Sequence, residues 1–210
     1  MSAELPTSER IYRAVKAEIL AGGFAFGERI EAVQLAKRHM SSITPIRAAL
    51  HRLVGEGLVD ARAGEGFQAL ILTEVRLRDL HAWNAHIIQL GWQLWPQAPQ
   101  SSEMAPPIID PRPIHIPDIP TATAGLFTNV GQRSGNEHCT EAIDQLNDRL
   151  HLARLQEGRL FDDLDQELRR LAEPFSGGQP AEVRHVIAAY HRRRIRLAAD
   201  LVDLMRRRVR

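Results

Sequence analysis

Residues 42–53 have the sequence SITPIRAALHRL, and EGLV follows at 56–59. Ser42 is suited to cap a helix, because its hydroxyl can accept a hydrogen bond from a free N–H group of the first turn. Pro45 falls inside that turn, where its missing N–H costs nothing. The pattern predicts a helix over about 43–55. The apolar residues that recur at helical spacing and predict its buried side are Ile46, Leu50 and Leu53.

The flanking sequence completes a small domain. Helical patterns precede this stretch at about 7–21 and 31–39, and Met40–Ser42 makes a tight turn. Two short apolar runs, Leu58–Val59 and Phe67–Leu72, follow it and are separated by glycines, which predicts a hairpin. Three helices followed by a two-stranded wing indicate a winged helix-turn-helix domain over residues 1–73.

The rest of the chain predicts a second domain, residues 74–210, built only of helices. Eight of the twelve prolines fall within 96–120, so we expect an irregular connection there. The fold class is therefore mainly α, with an N-terminal winged helix-turn-helix and a C-terminal all-helical bundle. The expected helices of the second domain are 74–94, 121–133, 138–156, 159–173 and 181–207.

The net charge, the cysteine count and the missing motifs limit the functions that this chain can have. The formal net charge is +1, so DNA binding has to come from a local basic patch. One such local excess is the eight arginines of residues 192–210, which we interpret first as a solvated final helix. The single cysteine, Cys139, fits a reducing compartment and a buried structural role. The sequence carries no signal-peptide or membrane-span pattern, no nucleophile motif and no Gly-rich phosphate loop, which predicts a cytoplasmic protein that is not an enzyme.

The third helix is the candidate for reading DNA, because the major groove admits one helix and the preceding turn is tight. A helix N-terminus and hydroxyl groups suit phosphate oxygens. Arg47 can reach a phosphate or a guanine edge. The outward side of this helix carries Thr44, Arg47, Ala48, His51 and Arg52.

Residues 8–73 resemble the GntR family of bacterial regulators. The resemblance lies in YRAVKAEILAGGFAFGERI, in LAKRHMSSITPIRAALHRLVGEGLV and in GEGF of the wing. It implies DNA contacts by Ser42, Thr44 and Arg47, and a minor-groove approach by Gly66. Ile43 stands where the family usually has arginine, and could instead touch a thymine methyl group. The complete set of predicted DNA-contact residues is Ser42, Ile43, Thr44, Arg47, Arg52 and Gly66.

Glu65 is the second departure from the family, because an arginine usually precedes the wing glycine. A carboxylate there repels phosphate. The departures at Ile43 and Glu65 leave open the alternative that the chain is a protein-interaction adaptor with weakened DNA binding.

The resemblance extends to the FadR-like branch, whose helical FCD-like effector domains often hold a divalent metal. The family's ligands are an Asp or Asn, a His four residues later on the same helix face, and two further His. Here LNDRLHLARL offers Asn147 and His151, with His185 or His191 as the third ligand. Arg208 stands near the place of the last His, and a half-buried structural His151 is the alternative. The candidate metal set is Asn147, His151 and His185.

Asn84 stands near the place of the arginine that often binds an acidic effector in that branch. Three tryptophans on or just after the helix at 74 could line a small apolar pocket, although core packing or a dimer face is the commoner role. They are Trp83, Trp92 and Trp95.

The resemblance implies a homodimeric repressor or activator that binds a short near-palindromic operator and responds to a small-molecule effector. The alternatives from other classes are the adaptor and a metal-dependent enzyme built on the helical domain.

Overall fold

The computed structural model describes residues 7–62, 66–95 and 118–207. The described chain forms two compact units, one within Met1–Leu72 and Met205–Arg210, the other comprising Thr73–Leu204. The proline-rich connection expected at 96–120 lies mostly outside the described residues. Its last two residues, 119 and 120, are the first two of a helix.

The first unit contains the three expected helices. They are α1 (Thr7–Leu20), α2 (Ala32–Arg38) and α3 (Ile43–Gly55), each within one residue of the predicted bounds. Their apolar stripes meet in a common core, which confirms the helical periodicity read from the sequence. Its fully buried side chains include Ile11, Val15, Leu35, Ile46, Leu50 and Leu53.

A three-stranded antiparallel sheet closes this unit. Its strands are β1 (Arg29–Ile30), β2 (Val59–Arg62) and β3 (Gly66–Ala69), in the order β1-β3-β2. Ile30 pairs with Phe67, and β2 pairs with the other edge of β3. The predicted hairpin of β2 and β3 is therefore confirmed. β1 was missed because two residues are too few to show a strand alternation.

The turn between α2 and α3 depends on an unusual residue. Met40 has φ 46° and is 93% exposed. Ser41 donates its N–H to the carbonyl of Ala36 at 2.9 Å, and Met40 donates to that of Lys37 at 3.3 Å. These two bonds form a Schellman ending, in which the left-handed position usually holds glycine.

We expect Met40→Gly to raise the free energy of unfolding by about 0.5–1 kcal/mol, because it removes left-handed strain without removing a packed side chain. Urea denaturation followed by circular dichroism measures this change. The substitution Met40→Ala at the same exposed position is the matched control, because alanine keeps the left-handed backbone strain. Equal stability of the two variants would contradict the prediction.

All the regular secondary structure in the described part of the second unit is helical. Thr73 caps its first helix by accepting the Arg76 N–H at 3.2 Å, and Asn136 caps its third by accepting the Cys139 N–H at 3.0 Å. No described helix is both long and apolar enough to cross a membrane. The helices are α4 (Glu74–Gln93), α5 (Ile119–Arg133), α6 (Glu137–Glu157), α7 (Leu164–Ala172), a short 3-10 helix (Glu173–Ser176), α8 (Pro180–Arg196) and α9 (Ala198–Arg207).

Two predicted helices of this unit need correction. The helix expected at 159–173 begins later, because the N–H groups of residues 159–161 bond back to carbonyls at the end of α6. The helix expected at 181–207 is interrupted at Leu197. Beyond the interruption, the residues of α9 that are buried within the second unit's range are Ala198, Leu201 and Val202.

A buried ion pair joins three of these helices. The Arg194 guanidinium donates through Nε and Nη2 to the two carboxylate oxygens of Glu157, at 2.9 and 2.7 Å. Its Nη2 also donates to Glu167 at 2.8 Å. The Arg194 and Glu157 side chains are each 2% exposed. Arg194 is thus part of the core, which corrects the interpretation of the arginine-rich tail as wholly solvated.

Candidate nucleic-acid interface

The N-terminal half of α3 presents one polar side outward. Ser42 is at the N-cap position with extended backbone, and Ser42, Ile43, Thr44 and Arg47 are all exposed. Within the described residues the Ser42 side chain makes no capping hydrogen bond, contrary to the role expected for it. Its hydroxyl and the free N–H groups of the first turn therefore remain available to an external acceptor.

A groove runs beside this side of α3. It encloses about 350 Å³ and is bounded by β1, the start of α2, the start of α3 and the wing. Ile43 and Arg47, one helical turn apart, line it together with Gly66. Arg29, also on its wall, pairs with Glu31 at 2.8 Å. Arg47 has no hydrogen-bond or ion-pair partner among the described residues, so its guanidinium is available to an anion.

The wing begins β3 with Gly66, which is exposed. Its φ is +89°, and outside its chain neighbours no described atom lies within 4 Å of the place a Cβ would take. The backbone conformation, not crowding, therefore favours glycine here. Glu65, the departure from the family's wing, lies outside the described residues.

Arg52 differs from Arg47 in its contacts. Its Nη1 donates to Glu9 at 2.9 Å, and its guanidinium lies 3.5 Å from the centre of the Tyr12 ring. The Tyr12 hydroxyl donates to Glu56 at 2.6 Å. These contacts join α1 to α3, and the DNA contact predicted for Arg52 stays a prediction. Neighbouring Glu9 has a lowered pKa because Arg13 and Arg52 donate hydrogen bonds to it.

The three candidate metal ligands, Asn147, His151 and His185, differ in their burial. Asn147 is buried, and its Oδ1 accepts a hydrogen bond from Arg154 Nη1 at 3.0 Å, so a cation already occupies that oxygen. His151 is half-buried, and burial lowers its pKa. His185 is exposed at the rim of a surface cleft. Among the described residues, no three His, Cys, Asp or Glu side chains cluster as metal ligands would.

Two of the three tryptophans lie in different surroundings. Trp83 is 55% exposed on α4. Trp95 Nε1 donates to the Val130 carbonyl at 2.9 Å, and its ring lies 6.0 Å from that of Phe175.

Cys139 is buried, as expected, and burial raises the pKa of its thiol.

A set of polar side chains is buried in the second unit, of which the sequence singled out only Asn84 and His191 as candidate site residues. They come from α4, α6 and α8, and their spacing resembles ordinary amphipathic helix, so no local pattern distinguishes them. They are His81, Asn84, Arg154, Tyr190 and His191.

The first unit is similar to known regulatory proteins. Residues 7–68 match the sequence model of the family described as "Bacterial regulatory proteins, gntR family". The chain is 39% identical over 82 residues to the Nta operon transcriptional regulator of Aminobacter aminovorans, a match spanning 39% of each protein. It is 26% identical over 196 residues, 87% of each chain, to the HTH-type transcriptional regulator YdhC of Bacillus subtilis (strain 168).

Two solved structures share the fold. E. coli McbR/YncC superposes with a TM-score of 0.67 at 16% identity, covering 94% of this chain and 99% of the other. A GntR transcriptional regulator from Rhodococcus sp. RHA1 superposes with a TM-score of 0.71 at 11% identity, covering 91% and 96%. The matched family and the named relatives are regulatory proteins rather than enzymes. Residues 7–68 thus form a winged helix domain that matches the gntR family, and over this domain the chain is similar to GntR-type transcriptional regulators.

Proposed function

We propose that this chain is a homodimeric regulator of transcription that reads DNA with α3. The observation that carries the proposal is the exposed, unpaired Arg47 on the side of α3 that also presents Ser42, Ile43 and Thr44. A helix fits the major groove with its N-terminal residues against base edges. Arg47 would then reach a guanine edge or a phosphate.

The other elements of the groove take consistent roles in this proposal. The free N–H groups at the start of α3 and the Ser42 hydroxyl would bind phosphate oxygens. Ile43 would contact a thymine methyl group where the family usually places an arginine. Gly66 would bring the wing backbone close to the minor groove. Arg52 would hold α3 against α1.

A dimer is supported by an exposed apolar stripe on α4. One small winged domain makes too few phosphate contacts for tight binding at physiological salt, so two are expected. Two recognition helices would read half-sites about one DNA turn apart in a near-palindromic operator. The stripe consists of Val75, Trp83, Leu90 and Leu94, between 41% and 68% exposed.

The helical unit would take a small-molecule effector, as in the FadR-like branch. The metal of that branch is not part of the proposal, because the Arg154 guanidinium is bonded to the oxygen of the would-be ligand Asn147.

We expect Arg47→Ala to weaken binding to a duplex from the chain's own promoter by about 10- to 100-fold, because it removes an unshielded contact to a base or a phosphate. Fluorescence anisotropy of the labelled duplex measures the affinity. The matched control is Arg13→Ala, which removes another exposed positive charge, one that pairs with Glu9 on α1. We expect that control to change the affinity less than threefold. Equal losses in both variants would indicate non-specific attraction and contradict the assignment of α3.

The adaptor alternative rests on Ile43 and Glu65. It requires that the wild-type chain does not bind promoter duplex even at low salt, where phosphate contacts are strongest.

Light scattering of the free protein tests the dimer independently of DNA. A monomer at micromolar concentration would contradict that part of the proposal.

A further inference from the structure

Two exposed aliphatic side chains lie in the groove beside α3. Val33, in the first turn of α2, is 50% exposed, and Ile43, the first residue of α3, is 43% exposed. Both line the groove that also contains Arg47. Single exposed apolar residues are ordinary on a protein surface. Here, however, two of the three large apolar side chains exposed in the described part of the first unit share one groove, the third being Met40.

The charges along this groove provide little general attraction for the phosphate backbone. The charged side chains among its described lining residues are Arg29, Glu31 and Arg47. Arg29 pairs with Glu31 at 2.8 Å, which leaves the Arg47 guanidinium as the unpaired charge of this described set. An apolar wall with a single free cation suits base edges better than phosphates, because base edges present methyl groups beside hydrogen-bond acceptors.

The spacing of these side chains matches neighbouring base pairs. Ile43 and Arg47 are one helical turn apart, which is about 5.4 Å along α3. Successive base pairs are about 3.4 Å apart along a duplex. A base that Ile43 contacts therefore lies within about two base pairs of the one that Arg47 contacts. Val33 adds a second aliphatic side chain to the same groove, from the preceding helix.

Thymine is the base whose edge fits the aliphatic part of this groove. Of the four bases it alone carries a methyl group, at C5, on its major-groove edge. A guanine nearby presents N7 and O6, two acceptors that one guanidinium can bind together. The methyl group would face the aliphatic side chains and the acceptors would face Arg47. The C5 methyl group of 5-methylcytosine offers the same chemistry, so the experiment has to separate the two sources.

We propose that Val33 and Ile43 form an apolar patch that determines operator specificity by contacting thymine methyl groups within about two base pairs of the base that Arg47 contacts. The DNA is then read by α2 as well as by α3. This inference rests on the proposed function, since it names what the same groove recognises and adds Val33 to the residues that read it.

The test replaces thymine by uracil in promoter duplex, because uracil lacks only the methyl group and keeps the same base pairing. Uracil interference compares the bound and free fractions of randomly substituted duplex and so locates the thymines that matter. Fluorescence anisotropy then measures the affinity for each singly substituted duplex. In each half-site we expect at least one thymine at which uracil weakens binding about three- to fivefold, the value of one buried methyl group.

Two variants assign the methyl contacts to their side chains. Val33→Ala and Ile43→Ala each remove an exposed aliphatic group, and both should fold because alanine favours helix. In each variant we expect the uracil effect to disappear at the thymine that the removed side chain contacts, since the methyl group there has no partner left to lose. Met40→Ala is the matched control. It removes the third exposed apolar side chain, which does not line the groove, and should keep every uracil effect of wild type.

The proposal is overturned if the wild-type chain binds promoter duplex but uracil weakens binding at no position. Its new element, Val33, is overturned if Val33→Ala keeps every uracil effect of wild type, because α3 alone would then read the methyl groups. Tighter binding to duplex in which 5-methylcytosine replaces cytosine, without any uracil effect, would replace thymine with the methylated base.

The proposed function fails in a different way. A wild-type chain that binds no promoter duplex even at low salt would contradict the proposed function and this inference together, and would assign the apolar patch to a protein partner. Binding that is intact but insensitive to uracil would contradict this inference alone.

Discussion

Replacing Arg194 by methionine is expected to lower the free energy of unfolding of the helical unit by about 3–5 kcal/mol. The substitution keeps most of the buried volume but removes the cation that faces Glu157, whose side chain is 2% exposed. Glu157 then remains buried and charged, or takes up a proton at a cost. Glu167 loses a 2.8 Å contact as well. Urea denaturation followed by circular dichroism measures the loss.

The neighbouring Arg193 provides the control. It also pairs with acidic groups, Asp163 at 2.6 Å and Glu167 at 3.1 Å, but its side chain is 27% exposed. Arg193→Met should therefore cost only about 1 kcal/mol. The double variant R194M/E157Q should recover part of the loss, because it also removes the stranded charge. If R194M cost no more than R193M, the buried ion pair would not have the role assigned to it.

The second large effect is the fall in the free energy of unfolding when the pH is lowered. His191 has its pKa lowered to about 3 from 6.5, so protonation occurs more readily in the unfolded chain. The stability that its neutral form contributes is present above pH 6.5 and is lost as the pH falls towards 3. His191 alone should lower the free energy of unfolding by about 2 kcal/mol between pH 7 and pH 5. His81, whose pKa burial also lowers, acts in the same direction.

The measurement is urea denaturation at a series of pH values. His191→Asn is the matched variant, because asparagine keeps a donor near Nδ1 without titrating. Its profile should be flatter than that of wild type. The groups facing His191 from other helices, His81 on α4 and Arg154 on α6, are unchanged in the variant. A wild-type profile that is flat between pH 7 and pH 5 would contradict the lowered pKa.

The winged domain was predictable because its determinants are local. Ile46, Leu50 and Leu53 recur at helical spacing, and glycines end the helix they belong to. All three are fully buried. The exposure of Arg47 follows from the same periodicity. The Met40 ending could not be read from the sequence, since methionine is not a residue typical of a left-handed position.

The second unit was predictable as helical but not in its interior. The interruption at Leu197 carries no glycine or proline, so the pattern continues through it. Arg154 follows Leu152 and Ala153, whereas Arg194 follows two other arginines, and neither local pattern indicates a buried guanidinium. Their environment depends on residues far away in the chain, such as Asn147, Glu157 and Glu167. Tertiary pairing of this kind leaves no periodic signal.

The central claim is that the exposed side of α3 enters the major groove of DNA. Methylation interference tests it directly, because a methyl group on guanine N7 blocks the major groove and one on adenine N3 blocks the minor groove. With promoter duplex, the account predicts interference at guanine N7 in two half-sites about one turn apart, and its loss at one base pair per half-site in Arg47→Ala. Binding that guanine N7 methylation does not impair at any position would contradict it.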